Sequence, residues 1–280
     1  MPLQAPSSPF AERSDKTRLP VFPPGVPYLL RELSDADLPY PRMAEVLERF
    51  PAIVARLVAL ANSAWSSPST PITDLENSCA RLGFGVVRSV AITLAVASPF
   101  NPHRCPAFDA ERFWSSALLT AETAARLGAR IDRAVEQSAR TTGLLHNLGL
   151  LWLAEYQPEQ TDRALSAADP DLGTDRSLET QCGSGYAAAG ATLGELLGLP
   201  AAINDAIAHQ LADGADSADP QLTRVVGLAR HISACARQQL AFECREAALP
   251  GLGCEQQQQA FEHTRRSLPR LQELARSLFC

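Results

Sequence analysis

The sequence predicts an all-α protein, a multi-helical bundle, on three observations. Alanine and leucine dominate a chain in which only 6% of residues are aromatic, a bias that favours helices over sheets. Apolar residues recur at i, i+3, i+4 and i+7 through much of the chain, punctuated by Asp, Gly and Pro at the positions where helices start and stop. No stretch alternates as a half-buried strand does, and no repeat of fixed period appears.

Taken in order, residues 1–18 are polar and proline-bearing and read as a mobile tail or a junction. Leu19 to Pro27 holds Pro20, Pro23, Pro24 and Pro27 and is expected to run extended across a helical surface. From Met43 the pattern turns helical, with Ile53, Val54, Leu57, Val58, Leu60 and Ala61 on one face up to Asn62-Ser63. Ser66 to Pro71 is a loop, after which Asp74 caps a short helix carrying Leu75, Cys79 and Leu82 and ending at Gly83. Val86 to Ala97 is almost wholly apolar and predicts a helix buried on most sides, with a strand as the minority reading.

Ser98 to Pro106, with three prolines, links two helical halves. Asp109 starts a long helix through Phe113, Ala117, Ala121 and Ala125 to Gly128, and a second helix runs from about Asp132 toward His146. Trp152 and Tyr156 follow, and Pro158 ends that run. Thr174 opens a helix reaching Gly198, whose Gly183, Gly185, Gly190 and Gly194 predict close helix–helix approach or a break near its start. Leu199-Pro200 begins a helix carrying His209, Asp219-Pro220 opens another through Ile232, and a last amphipathic helix follows Ser267 after a Gln run at 256–259.

A length of 280 residues is enough for one large domain or two modest ones. The net charge of -6 gives no basic footprint, and no run of like charges appears, which argues against nucleic acid as a partner. Seven scattered cysteines without a C-x-x-C pair form neither a disulfide framework nor a zinc pattern, and read as small core residues or incidental thiols in a reducing cytosol. No signal peptide and no apolar run of about 18 residues is visible, so the expected setting is cytoplasmic, without a membrane partner.

The stretch Thr141-Thr142-Gly143-Leu144-Leu145-His146-Asn147-Leu148-Gly149-Leu150 places one imidazole and one amide in an otherwise apolar segment. The simpler reading of His146 is a core histidine bonded to helix backbone, and of Asn147 a side chain bridging or capping helix ends. The amide oxygen of Asn147 is a neutral, weak metal ligand where divalent ions prefer a carboxylate. Gly183-x-Gly185 follows no strand and precedes no Gly-Lys-Ser/Thr, so it is not a phosphate loop. Ser115 and Ser116 lack the G-x-S-x-G setting of a serine hydrolase.

Several stretches together resemble the HDOD family, the catalytically degenerate branch of HD phosphohydrolase-like domains. They are Leu19-Pro20, the helix ending Leu60-Ala61-Asn62-Ser63-Ala64, Pro71 to Gly83, Gly143 to Gly149, Tyr186…Gly190-Ala191…Leu193, Leu199-Pro200 and Ala206-Ile207-Ala208-His209-Gln210. Order and spacing make the likeness more specific than any one piece. It implies an HD-domain-like bundle of two packed helical subdomains over residues 19–215, split into 19–104 and 105–215, with helices of 216–280 packing on the second half.

Active relatives hold one or two metals through a His, a His-Asp dyad and a later Asp, and the metal activates a water. Against that pattern Ser116 stands at the first His, Asn147 at the dyad Asp, Tyr186 where another His is frequent, and Ala229-Arg230-His231 where the last Asp is sought. Only His146 and His209 remain, the latter with Gln210 either lining the same pocket or on a half-exposed helix face. The resemblance therefore implies no catalytic residue, metal or cofactor, and a vestigial pocket of His146, Asn147, Ser116, Tyr186 and His209. It implies a regulatory module for signal transduction, acting by protein–protein interaction with receiver, kinase or cyclic-dinucleotide domains, or by sensing a small-molecule ligand. Asn62 and Trp65 are candidate partner contacts. The alternatives are a metal-dependent phosphohydrolase with unusual ligands, and a domain that binds a nucleotide messenger without hydrolysing it.

Overall fold

A computed structural model describes residues 22–35, 38–63, 66, 70–167, 173–212, 214, 216–244, 249 and 251–279. The tail at 1–18, the segment Leu19 to Val21 and the partner-contact candidate Trp65 lie outside them. The described residues form helices and connections with no strand. The first half comprises α1 (Val26–Ser34), α2 (Tyr40–Glu48), α3 (Pro51–Ala61), α4 (Leu75–Leu82) and α5 (Phe84–Ala97). Then come α6 (Ala110–Gly128), α7 (Arg133–Leu145), α8 (Leu148–Tyr156), α9 (Pro158–Ala167), α10 (Thr174–Cys182), α11 (Tyr186–Leu196), α12 (Ala201–His209), α13 (Pro220–Arg237) and α14 (Cys254–Phe279).

Four starts follow directly from the sequence. The carboxylates of Asp74, Asp109, Asp132 and Asp219 each accept the backbone N–H three residues on, at 2.8, 2.9, 2.8 and 3.0 Å, satisfying a donor that a helix start leaves unpaired. Prolines account for most departures from expectation. Pro27 sits in the first turn of α1, where its missing N–H costs nothing, so the segment expected to be extended enters a helix at Val26. Pro158 ends α8 but also begins α9, and α14 starts at Cys254, runs through the Gln segment and contains Pro269. The helix expected from Thr174 to Gly198 breaks at Gly183, which adopts φ 78° and closes α10 before α11 begins.

One core runs from Val26 on α1 to Ile207 on α12 and takes in Leu271, Leu274 and Ala275 of α14. A second lies among α6, α7, α13 and α14 around Leu127, Val225, Ile232 and Phe261. Each fully buried aliphatic side chain of this kind contributes about 1.5–3 kcal/mol. Helix α6 is the hub, packing against α7, α13 and α14. Within α5 one charge is interred: Arg88 is 1% exposed, donates to Gln137 Oε1 at 3.0 Å, and lies over the Phe84 ring. Burial pushes its pKa down.

The cysteine reading needs one correction. Cys244 and Cys254 form a disulfide with a Cα–Cα distance of 5.4 Å, ten residues apart. Cys244 follows α13 and Cys254 opens α14, and nothing in their spacing announces the pairing. Cys79, Cys105, Cys182 and Cys235 are buried and unbridged; burial, with Asp162 nearby, pushes the Cys105 thiol up to about 11. Cys280 is outside the described residues. No single described helix is long and apolar enough to cross a membrane. Only α4 and α5 together meet that length and composition, and they are bent by 112° at Gly83.

Candidate functional site

The His146-Asn147 pair forms the elbow between α7 and α8, and two glycines set its position. A Cβ on Gly143 would come within 2.9 Å of the Thr120 carbonyl oxygen on α6. A Cβ on Gly149 would overlap the Tyr186 carbonyl oxygen and the Gly190 nitrogen of α11. The bare backbones thus bring α7 onto α6 and α8 onto α11 at close range, with the elbow between them.

His146 is 3% exposed, and its Nδ1 donates to the Gly143 carbonyl at 2.7 Å. In the neutral ring this places the lone pair on Nε2. Asn147 is the N-cap residue of α8, but its side chain makes no cap bond. Its Nδ2 instead donates to the Phe113 carbonyl of α6 at 3.2 Å, a helix-to-helix bridge. Its Oδ1 is buried without a hydrogen-bond partner.

A cavity of about 290 Å³ opens at this elbow. Ser116 joins it from α6, along with Asp109, Arg112 and Phe113, which share a helix face with it. Tyr186 and Thr174, the first residues of α11 and α10, form a second wall. Arg230, Ala234 and Arg237 form a third, at successive turns of one face of α13. Four of the five predicted pocket residues, Ser116, His146, Asn147 and Tyr186, therefore meet in one cavity.

His209 does not line it. On α12 its Nδ1 donates to the Asp205 carbonyl at 2.9 Å and lies 3.3 Å from that residue's carboxylate, with the side chain 36% exposed. The neighbour on the inward face is Gln210, 1% exposed, whose Nε2 donates to the His146 carbonyl at 2.6 Å. Asn62 is exposed, and its amide donates to the Val58 and Ile72 carbonyls while its Oδ1 accepts the Ile72 N–H at 2.8 Å.

Among the described residues the lining holds three arginines, Arg112, Arg230 and Arg237, and the carboxylate of Asp109, whose Oδ1 caps α6. Asp175, behind the tyrosine wall, ties α10 to α11 by accepting the Ala187 N–H at 3.1 Å. Burial raises its pKa, while the backbone N–H bonds and the Arg230 charge pull the other way. A Cβ on Gly185 would overlap that carboxylate. Arg230 was legible as the occupant of the expected Asp position. Arg112 and Arg237 were not singled out, and the signal open to the sequence was the i, i+7 pairing of Arg230 with Arg237.

A divalent ion does not suit this donor set. Among the described residues no group of three or more His, Cys, Asp or Glu side chains is placed to hold a metal. The amide at 147 brings no negative charge to hold one.

An all-helical domain with a histidine-centred elbow between two helices and a cavity beneath it is an HD-like domain. The chain belongs to the HDOD domain family, whose model matches residues 19–212. Among solved structures it is similar to a protein from Marinobacter aquaeolei VT8 titled a signal transduction protein, at a TM-score of 0.80 and 23% identity. That match covers 93% of this chain and 60% of the Marinobacter chain, so this chain spans less than two thirds of its relative. It is also similar to an HDOD domain protein of unknown function from Geobacter sulfurreducens, with TM-score 0.71, 20% identity and 93% of each chain covered. A protein titled a phosphohydrolase from Shewanella amazonensis SB2B matches with TM-score 0.71 and 21% identity over 94% of this chain and 96% of that one. At these identities the likeness shows the fold. No curated protein matches the chain in sequence.

Proposed function

We propose that the protein is a non-catalytic regulatory module for signal transduction, in which the cavity at the His146 elbow serves ligand sensing rather than hydrolysis. The observation that carries this reading is the donor set at the elbow: His146, Asn147, Ser116 and Tyr186 line the cavity where a metal-using relative needs carboxylates. The family membership and the likeness to the Marinobacter signal transduction protein agree with it. In the alternative, a phosphohydrolase, metal-bound water attacks a phosphoester, which needs ligands that lower the pKa of that water. The lining residues His146, Asn147, Ser116 and Tyr186 do not supply an anionic one.

The test is metal content and turnover in the purified full chain. After exposure to manganese, magnesium and iron, the expected result is substoichiometric metal and no turnover of phosphodiesters, nucleotides or cyclic dinucleotides. Stoichiometric metal together with turnover that disappears in His146→Ala overturns the proposal.

A further inference from the structure

We infer that the Cys244–Cys254 bridge is a reversible redox site, opened by exchange with a low-molecular-weight thiol. Its state sets how tightly the segment after α13 is held against the first turns of α14. Neither cysteine is among the described residues lining the His146 cavity, so the two sites are tested separately.

Access singles out this pair. Cys79, Cys105, Cys182 and Cys235 are buried, whereas Cys244 is half-buried and Cys254 is exposed. Thiol–disulfide exchange needs a thiolate to reach one sulfur of the bridge, so exposure of Cys254 supplies the point of attack. An external thiolate bonds to the Cys254 sulfur, the S–S bond breaks, and Cys244 leaves as a thiolate that takes a proton from water. A second external thiolate then attacks the external sulfur of the mixed disulfide and releases Cys254. Two external thiols are thereby oxidised to one disulfide while the bridge is reduced to two thiols. The same steps in reverse, with an external disulfide as oxidant, close the bridge again.

What the bridge holds follows from its place in the fold. Beyond α13 the chain turns at Gln239, which adopts φ 58°, and runs from there to Cys244 without helix. Phe242 in this segment is buried, with its ring stacked on Phe261 of α14 at a centroid distance of 5.4 Å. It also lies 6.0 Å from the His231 ring of α13. The bridge fastens the same segment a second time, to the first residue of α14. From His263 onward α14 has anchors of its own on α6. His263 and Ser267 bond Glu122 at 2.9 and 2.7 Å, Thr264 pairs with Thr123 at 2.8 Å, and Arg276 pairs with Glu111 at 2.8 Å. Leu271, Leu274 and Ala275 are buried in the first core. Opening the bridge therefore loosens the Phe242 segment and the first turns of α14, while the remainder of α14 stays docked.

The experiment equilibrates the full chain in mixtures of reduced and oxidised glutathione. Peptide mass spectrometry after alkylation reads the state of Cys244 and Cys254, and amide hydrogen exchange reads the structure. Both forms are expected to interconvert reversibly and to stay folded by melting curve. In the dithiol form, amides of Phe242 and of Gln257 to Phe261 are expected to exchange at least about tenfold faster, with those of Leu271 to Ala275 unchanged. Cys254→Ser is expected to show the fast pattern in every mixture. If that variant does not fold, the native chain alone carries the test. A bridge that forms in no mixture, a chain that unfolds throughout when reduced, or exchange that is the same in both forms overturns the inference.

Discussion

One turn at the start of α8 meets two unlike neighbours. Gly149 lies against bare backbone of α11, a seam with no room for a single methyl group. Asn147 and Leu150, on either side of it in sequence, face an open cavity of about 290 Å³. The two sides share Tyr186, whose carbonyl closes the seam while the residue also lines the cavity. The difference separates two demands on one stretch of chain. The seam tolerates one residue type and fixes where the elbow sits, whereas lining side chains on the other side border open space.

Gly149→Ala tests the closed side and has the largest expected effect. The added methyl meets main-chain atoms that cannot rotate away, so a loss of about 3 kcal/mol or more is expected in urea unfolding. A loss below about 1 kcal/mol would mean that the seam can open. A second constraint is covalent, the Cys244–Cys254 bridge between residues ten apart in sequence. Cys244→Ser is expected to cost about 2–3 kcal/mol by the entropy of the loop it closes, read as a shift in unfolding midpoint that reductant reproduces in the native chain.

Ala234→Leu puts more volume into the open side than Gly149→Ala puts into the seam. It is expected to change stability by less than about 1 kcal/mol, because the side chain enters space already present. An effect as large as that of Gly149→Ala would erase the contrast between the two sides.

The smallest effect belongs to Asp175, which ties the cavity's tyrosine wall to α10. Burial raises its pKa above the ordinary 3.8, so the folded state holds this proton more tightly than the unfolded state does. Its contribution is therefore greatest below pH 3.8, falls as pH rises toward the raised value, and is constant above it. Asp175→Asn is expected to flatten that part of the stability profile, measured as urea midpoint against pH.

The closed parts of the molecule were the legible ones. Asp74, Asp109, Asp132 and Asp219 announce helix starts by local chemistry, and the glycines of 183–194 announced close approach or a break, whereas Gly143 and Gly149 were not read that way. Both occur, the approach at Gly149 with Gly190 and the break at Gly183. Pro27 and Pro158 misled because a proline that ends one helix is equally at home in the first turn of the next. The cavity was half legible. His146, Asn147, Ser116 and Tyr186 were recognisable as a set by resemblance, but His209 turns toward Asp205 while Gln210 turns inward. Arg112 and Arg237 belong to the site only because α6 and α13 pack side by side, a tertiary fact with no local mark. The Cys244–Cys254 bridge was missed for the same reason.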